Sequence, residues 1–109
     1  MEEEKELAGK VALVTGGARN IGRAISLALA AGGAAVLVNA RTSRAEAEQT
    51  VADIRKAGGR AALLLADVTD PAAVSAMVAA GVKEFGRLDV LVNNAAVRSE
   101  EHTSELQSR

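Results

Sequence analysis

The sequence predicts an α/β fold in which a doubly wound parallel sheet is covered by helices. Four short apolar runs alternate with segments whose apolar residues recur at helical spacing, and the connections between them are short. This βαβαβαβ order requires right-handed crossovers between parallel strands, for which we expect the strand order 3-2-1-4. The apolar runs do not alternate with polar residues, as expected of strands that are buried on both faces.

The length and composition of the chain allow at most one small domain and exclude several classes of function. The 109 residues are 49% hydrophobic, and the formal net charge is −1. Cysteine is absent, so there are no disulfides or thiolate metal ligands, and Phe85 is the only aromatic residue, which leaves no surface for stacking nucleic-acid bases. No apolar run approaches the roughly 20 residues of a membrane span, and no signal-peptide pattern is present. We therefore expect a cytoplasmic protein without a metal, nucleic-acid or membrane partner.

The first strand and helix flank a glycine-rich turn. Residues 10–14 form the predicted strand, and the helix is expected to run from Ile21 to a stop at Gly32 and Gly33. One apolar stripe of this helix is predicted to pack on the first strand, and it consists of Ile21, Ala24, Ile25, Ala28 and Leu29.

The second strand is predicted over residues 34–39. Ser43 and Glu46 have the spacing of a capping box, which predicts the start of the second helix, and Gly58 marks its end. The apolar face of this helix is formed by Ala47, Val51 and Ile54.

The third strand is predicted over residues 61–66 and the fourth over 88–92. Between them, Asp70 and Pro71 predict a helix start, with an acidic N-cap and proline at the first helical position. The apolar face of this third helix, which we expect in the core rather than in a ligand site, contains Val74, Met77, Val78, Gly81 and Phe85.

The turn after the first strand has the composition of an anion-binding loop. Thr15, Gly16 and Gly17 lie between a strand and a helix, where the free N–H groups of the first helical turn and the helix dipole favour a phosphate. Glycine lets the backbone approach the ligand closely and permits positive φ. The alternative is a tight turn between two core elements, since a glycine-rich segment alone is a weak signal.

Two nucleotide-binding motifs do not fit this loop. Read from Gly17, the glycine spacing is that of a P-loop, but Arg23 and Ala24 replace the required lysine and the hydroxyl residue. Read from Gly16, the GxGxxG fingerprint fails because Ala18 occupies the second glycine position. A phosphate-hydrolysing site is therefore disfavoured.

The pattern that fits is TGxxxGxG, formed by Thr15, Gly16, Asn20 and Gly22, with Asn20 in place of the middle glycine. Here the chain resembles the short-chain dehydrogenase/reductase family over residues 7–97. The resemblance implies a partial Rossmann-type domain that binds NAD(P). It implies that the cofactor contacts of this loop are Thr15, Gly16, Arg19, Asn20, Ile21 and Gly22.

The residues after the second strand favour NADP over NAD. An acidic residue at this point of a dinucleotide-binding unit usually binds the ribose 2′-hydroxyl, whereas an arginine accommodates a 2′-phosphate. No acid occurs in residues 40–44, and Arg41 follows the strand directly. Together with Arg19 of the glycine loop, it offers two guanidinium groups to a phosphate dianion.

Two further motifs belong to the resemblance. In the family, an Asp-Val pair that matches Asp67 and Val68 lies along the adenine. The sequence of Asn93 to Ala96 resembles the motif NNAG, with Ala96 in place of glycine. In the family the first asparagine braces the sheet and the following backbone lines the cofactor, which implies contacts from Asn93 and Ala95.

The resemblance implies hydride transfer between a nicotinamide and a carbonyl or alcohol carbon of a small-molecule substrate. Relevant members include ketoacyl carrier protein reductases and sugar or alcohol dehydrogenases. Family members use a serine, a tyrosine and a lysine four residues after the tyrosine, and this chain has no tyrosine. We therefore expect it to supply cofactor binding only, with no catalytic residue of its own. The alternative is a regulatory module that binds NAD(P) without catalysis.

The two ends of the chain are expected to lie outside the domain. Residues 1–6 form a charged leader. Residues 98–109 have no apolar period, and RSEEHTSELQS matches a reading frame of a widely used sequencing adapter, so we expect a non-native tail. A domain cut at this point leaves the fourth strand with an open edge, which predicts aggregation of the fragment, and we expect the parent protein to be a homo-oligomer.

Overall fold

The computed structural model describes residues 5–94, which form one four-stranded parallel sheet with the strand order β3-β2-β1-β4. The predicted α/β class and strand order are confirmed. The elements are β1 (Val11–Thr15), α1 (Asn20–Ala31), β2 (Ala35–Ala40), α2 (Arg44–Lys56), β3 (Arg60–Leu65), α3 (Pro71–Phe85) and β4 (Val90–Asn93). The expectations for Ala95, for Ala96, for residues 1–4 and for the tail lie outside the described residues.

The two central strands form the core. Every residue of β1 and β2 is buried, as their unbroken apolar sequences predict. On one face, Val14 and Val38 pack with the α2 residue Ile54; on the other, Leu13 and Leu37 pack with α3. The strands β3 and β4 flank the sheet and are only partly buried, because each has one strand neighbour among residues 5–94.

The predicted apolar stripe of α1 is wrong in part. Ile21 is 68% exposed and Ala24 and Ala28 are also exposed, so only Ile25 and Leu29 of the stripe pack against the core. The buried residues of the helix are Gly22 and Ser26. An added Cβ on Gly22 would overlap the carbonyl oxygen of Gly16, so only glycine lets the helix approach the turn so closely. The Ser26 hydroxyl bonds the Gly22 carbonyl at 2.9 Å. The helix therefore faces the turn with small residues, and this rotates Ile21 into solvent.

The N-terminal caps of α2 and α3 differ from each other. The Asp70 carboxylate accepts hydrogen bonds from the backbone N–H groups of Ala72 and Ala73, and Pro71 follows it, which confirms the predicted start of α3. The predicted capping box of α2 is wrong, since the Ser43 side chain makes no cap hydrogen bond. Its ψ of 58° departs from the extended conformation that aims an N-cap side chain at the helix.

The predicted core face of α3 is confirmed. Met77 and Gly81 are buried, and a Cβ on Gly81 would lie 2.7 Å from Leu37 Cδ1, so the helix lies directly on β2. The Arg60 guanidinium lies 5.6 Å from the ring centroid of Phe85. Within residues 5–94, no helix is long and apolar enough to cross a membrane.

Candidate functional site

The carboxyl ends of the strands place several predicted site residues along one edge of the sheet. Thr15 is in register with Asn93, and Ala40 is in register with Leu65. The glycine loop, Arg41, Asp67 and Asn93 therefore follow neighbouring strands at the same edge. In open α/β sheets this is the edge at which ligands bind.

The glycine loop has a backbone that its sequence explains. Gly16 has a φ of 63° and Asn20 a φ of 52°, both in the left-handed region. Asn20 stands where the family pattern has glycine, and asparagine is the side chain that tolerates this conformation best. A Cβ on Gly17 would lie 2.8 Å from Ser26 Oγ, so this position also has no room for a side chain.

The start of α1 is open to solvent. Arg19 has extended N-cap dihedrals without a side-chain cap hydrogen bond, and the side chains of Arg19, Asn20 and Ile21 are exposed. The first N–H groups of an α-helix have no intrahelical acceptor, and the helix dipole is positive at this end. This loop is therefore suited to bind an anion.

Two asparagines that were not predicted as site residues bind the Gly16 peptide groups. Asn39 Oδ1 accepts from Gly16 N at 3.1 Å, and Asn94 Nδ2 donates to Gly16 O at 3.1 Å. Both asparagines are buried. The available signal for Asn39 is a polar residue at the end of an otherwise apolar strand. Asn94 was noted only as part of its motif.

Thr15 and Asn93 connect β1 to β4. Thr15 Oγ1 lies 3.3 Å from Asn93 Oδ1 and 3.3 Å from Val92 O. The hydroxyl therefore ties the end of β1 to the end of β4 beside the glycine loop. This contact agrees with the bracing role that the family resemblance implies for Asn93.

Arg41 and Asp67 face each other across β2 and β3. Arg41 Nε lies 3.6 Å from Asp67 Oδ2, and the Arg41 side chain is 70% exposed. Hydrogen bonds from the Thr69 hydroxyl and backbone N–H hold the pKa of Asp67 below its usual value, and the charge of Arg41 adds to this. Val68 packs with the hydrophobic cluster on the α3 side of the sheet.

Arg23, at the position of the P-loop lysine, points to α2. Its terminal nitrogens donate to Thr50 Oγ1 at 3.1 Å and to Asp53 Oδ2 at 2.6 Å. The Arg23 hydrogen bond lowers the pKa of Asp53. Thr50 Oγ1 also lies 3.1 Å from Ala18 O, so this network attaches the glycine loop to α2. The Arg23 guanidinium is thus held by hydrogen bonds to α2 and does not take the phosphate-binding role of the P-loop lysine.

The arrangement can bind an anionic ligand, but it offers little for proton transfer. The described residues contain no histidine, cysteine or tyrosine and no cluster of three potential metal ligands. The exposed positive groups at the site edge are Arg19, Arg41 and the first turn of α1. Phosphate groups are anions of the kind that guanidinium groups and helix N-termini bind.

The family model and the similar proteins that comparison finds point to the same protein family. The model of the short chain dehydrogenase family matches residues 10–109. An uncharacterized oxidoreductase of Methylorubrum extorquens is 51% identical over 92 residues, which are 84% of this chain and 37% of that protein. The short-chain dehydrogenase/reductase homolog YusS of Bacillus subtilis is 50% identical over 88 residues, which are 81% of each chain.

Longer relatives and solved structures agree with this result. Versicolorin reductase 1 of Aspergillus parasiticus is 43% identical over 97% of this chain and 40% of its own length. A dehydrogenase/reductase from Sinorhizobium meliloti superposes with a TM-score of 0.80 at 43% identity, over 83% of this chain and 36% of that one. A hydroxysteroid dehydrogenase from Escherichia coli superposes with a TM-score of 0.77 at 32% identity, over 83% of this chain and 38% of that one. Apart from YusS, this chain spans about two fifths of the length of these relatives.

Proposed function

Because this chain belongs to the short chain dehydrogenase family, we propose that it is the cofactor-binding part of an NADP-dependent oxidoreductase. The observation that carries the proposal is that the glycine loop and Arg41 follow neighbouring parallel strands and so lie at the same edge of the sheet. The loop offers backbone N–H groups to a diphosphate, and Arg41 offers a guanidinium to a 2′-phosphate.

The residues present fit a dinucleotide. The left-handed φ of Gly16 and the close approach that Gly22 allows set the shape of the loop. The exposed side chains of Arg19, Asn20 and Ile21 show that the N-terminus of α1 is open to solvent, where a diphosphate can reach it. In this proposal the loop from Thr15 to Gly22 holds the diphosphate. We assign Asp67 and Val68 to the adenine, and we assign Asn93 and Ala95 to the motif that braces the sheet and whose backbone lines the cofactor.

The preference for NADP rests on the charges after β2. Arg41 is mostly exposed and its ion pair with Asp67 is long, so its guanidinium can turn to a phosphate dianion. Arg44 is less available, because its Nε bonds Glu48 at 2.9 Å. Arg19, on the rim of the glycine loop, is the second candidate contact for the 2′-phosphate.

The bound cofactor would transfer hydride to or from a carbonyl or alcohol carbon of a small-molecule substrate. This chain contributes binding and orientation and contains no tyrosine to exchange a proton with the substrate. In this proposal the serine and the Tyr-x-x-x-Lys motif follow in the remainder of the gene. Their absence from the full gene would favour a regulatory NAD(P)-binding module instead. We expect the whole protein to be a cytoplasmic homo-oligomer.

Cofactor titration of the full-length protein tests the proposal. We expect NADPH to bind at least about tenfold more tightly than NADH, and Arg41→Ala to remove this difference by weakening NADPH alone. Arg44→Ala is the matched control, since that arginine is paired within α2, and it should change either affinity by less than about twofold. Equal affinity for the two cofactors, unchanged by Arg41→Ala, would refute the NADP assignment.

A further inference from the structure

We propose that Asn39 is a positioning residue that fixes the relative placement of the diphosphate loop and the adenine segment. The inference rests on the proposed cofactor site and adds to it a residue that never contacts the cofactor. In this role the Asn39 side chain joins the turn after β1 to the segment after β3. Cofactor affinity then depends on a buried amide beneath the binding edge.

The side chain of Asn39 is fully engaged within the protein. Its Oδ1 accepts from Gly16 N at 3.1 Å, and its Nδ2 donates to Leu64 O and Ala66 O, each at 3.2 Å. The residue is 2% exposed. One acceptor and two donors are needed here, and the carboxamide of asparagine supplies both from a single short side chain. Because both ends of the amide are bound, it cannot turn towards a ligand.

The backbone around Asn39 strengthens this connection. Asn39 O accepts from Gly17 N at 2.9 Å, and Ala40 O accepts from Ala66 N at 3.1 Å. Ala66 immediately precedes Asp67, and Arg41 lies two residues after Asn39. Asn39 therefore joins the three segments to which we assign the diphosphate, the 2′-phosphate and the adenine.

Asn39 holds the glycine loop through the Gly16 peptide. Its N–H is bound by Asn39 and its C=O by Asn94, so the left-handed peptide is held from both sides. Without Asn39, Gly16 N loses its acceptor, and the carbonyls of Leu64 and Ala66 lose a donor. The loop then samples other conformations, and cofactor binding must supply the cost of ordering it.

The test compares cofactor affinity and amide hydrogen exchange of the Asn39→Leu and Asp89→Leu variants of the full-length protein. Both are measured at low temperature, well below the melting temperature of each variant. Leucine has the same number and branching of side-chain heavy atoms as both residues and lacks their polar atoms. Asp89 is the matched control, because its Oδ2 accepts from Val11 N at 2.8 Å at the opposite end of β1. The two readouts are the Kd for NADPH and the hydrogen exchange of the Gly16 and Gly17 amides without cofactor.

We expect Asn39→Leu to raise both the Kd and the exchange rate of these amides by about tenfold or more. Asp89→Leu should lower the melting temperature and change both readouts by less than about twofold. A lower melting temperature with unchanged Kd or unchanged exchange in Asn39→Leu would overturn the inference. Should Asn39→Leu not fold, Asn39→Ala replaces it.

The remaining outcomes also decide the question. If neither Asn39 variant folds, the inference is overturned, because the amide then supports the fold as a whole. If the wild-type protein binds no dinucleotide, the proposed function fails, and with it the assignment of Asn39 to a cofactor site. The exchange rates of the Gly16 and Gly17 amides are measured without cofactor, so they show whether Asn39 orders the loop even if the wild-type protein binds no dinucleotide. Failure of the proposed function is thereby distinguished from failure of Asn39 to hold the loop.

Discussion

The guanidinium of Arg41 faces the carboxylate of Asp67, with 3.6 Å between Nε and Oδ2. Both side chains are substantially exposed, so water and salt screen the pair and it contributes little to stability. Its significance is positional, because it places the residues that follow β2 and β3 side by side at one edge of the sheet. We expect the two side chains to exchange their mutual contact for ligand contacts when a dinucleotide binds.

The pKa of Asp67 should depend more on Thr69 than on Arg41. The largest cause of its lowered pKa is the hydrogen bond from the Thr69 hydroxyl, at 2.7 Å from Asp67 Oδ1. Thr69→Val should therefore raise the pKa of Asp67 towards its usual value, and Arg41→Ala should raise it less. An NMR titration of the side-chain carboxyl carbon measures both effects.

This pKa also fixes the sign of a pH dependence. A carboxyl with a lowered pKa in the folded state stabilises the protein above its unfolded-state pKa, and this stabilisation is lost as pH falls through the lowered value. Thr69→Val should therefore weaken the dependence of stability on pH in the acid range. A larger effect of Arg41→Ala than of Thr69→Val would contradict this assignment.

Gly22→Ala should disrupt the turn and cofactor binding together. The added Cβ would overlap the Gly16 carbonyl, which is backbone and cannot rotate away, so we expect a loss of at least about 2 kcal/mol in unfolding free energy. Gly58→Ala is the control, since its Cβ would meet open space and its φ of 96° costs about 1 kcal/mol. Urea denaturation and NADPH titration should show lost binding only for Gly22→Ala.

Asn20 should tolerate glycine but not alanine. With its φ of 52°, Asn20→Gly should change the unfolding free energy by less than about 0.5 kcal/mol, whereas Asn20→Ala should cost about 1 kcal/mol. Parallel urea denaturation of the two variants checks this difference. Equal stability of both variants would mean that the left-handed conformation of Asn20 is not required.

The two predicted helix caps should differ in their response to alanine. Asp70→Ala should cost about 1 kcal/mol, because its carboxylate caps two backbone N–H groups of α3. Ser43→Ala should cost less than about 0.5 kcal/mol, because its hydroxyl caps nothing in α2. Denaturation midpoints of the two variants at neutral pH provide the comparison, and a cost of Ser43→Ala equal to that of Asp70→Ala would contradict it.

The sequence alone determined the architecture of this protein. Strand runs, helical periods, the glycine turn and the Asp70-Pro71 start are local signals, since they follow from backbone dihedral preferences and side-chain periodicity. Right-handed crossovers together with the doubly wound pattern of dinucleotide-binding domains predicted the strand order 3-2-1-4, and the structure has it. The edge at which Arg41 and Asp67 meet follows from that order.

The tertiary structure decided which side chains work together. The local pattern predicted Ile21 in the core, but the close approach of Gly22 to Gly16 turns Ile21 outward. It also predicted a helix cap at Ser43, but the backbone conformation there leaves the hydroxyl without a cap hydrogen bond. The amide of Asn39 meets Gly16 and Ala66 only because three strands pack in a particular register. Such contacts join residues more than 20 positions apart, and their distances depend on packing that no local pattern encodes.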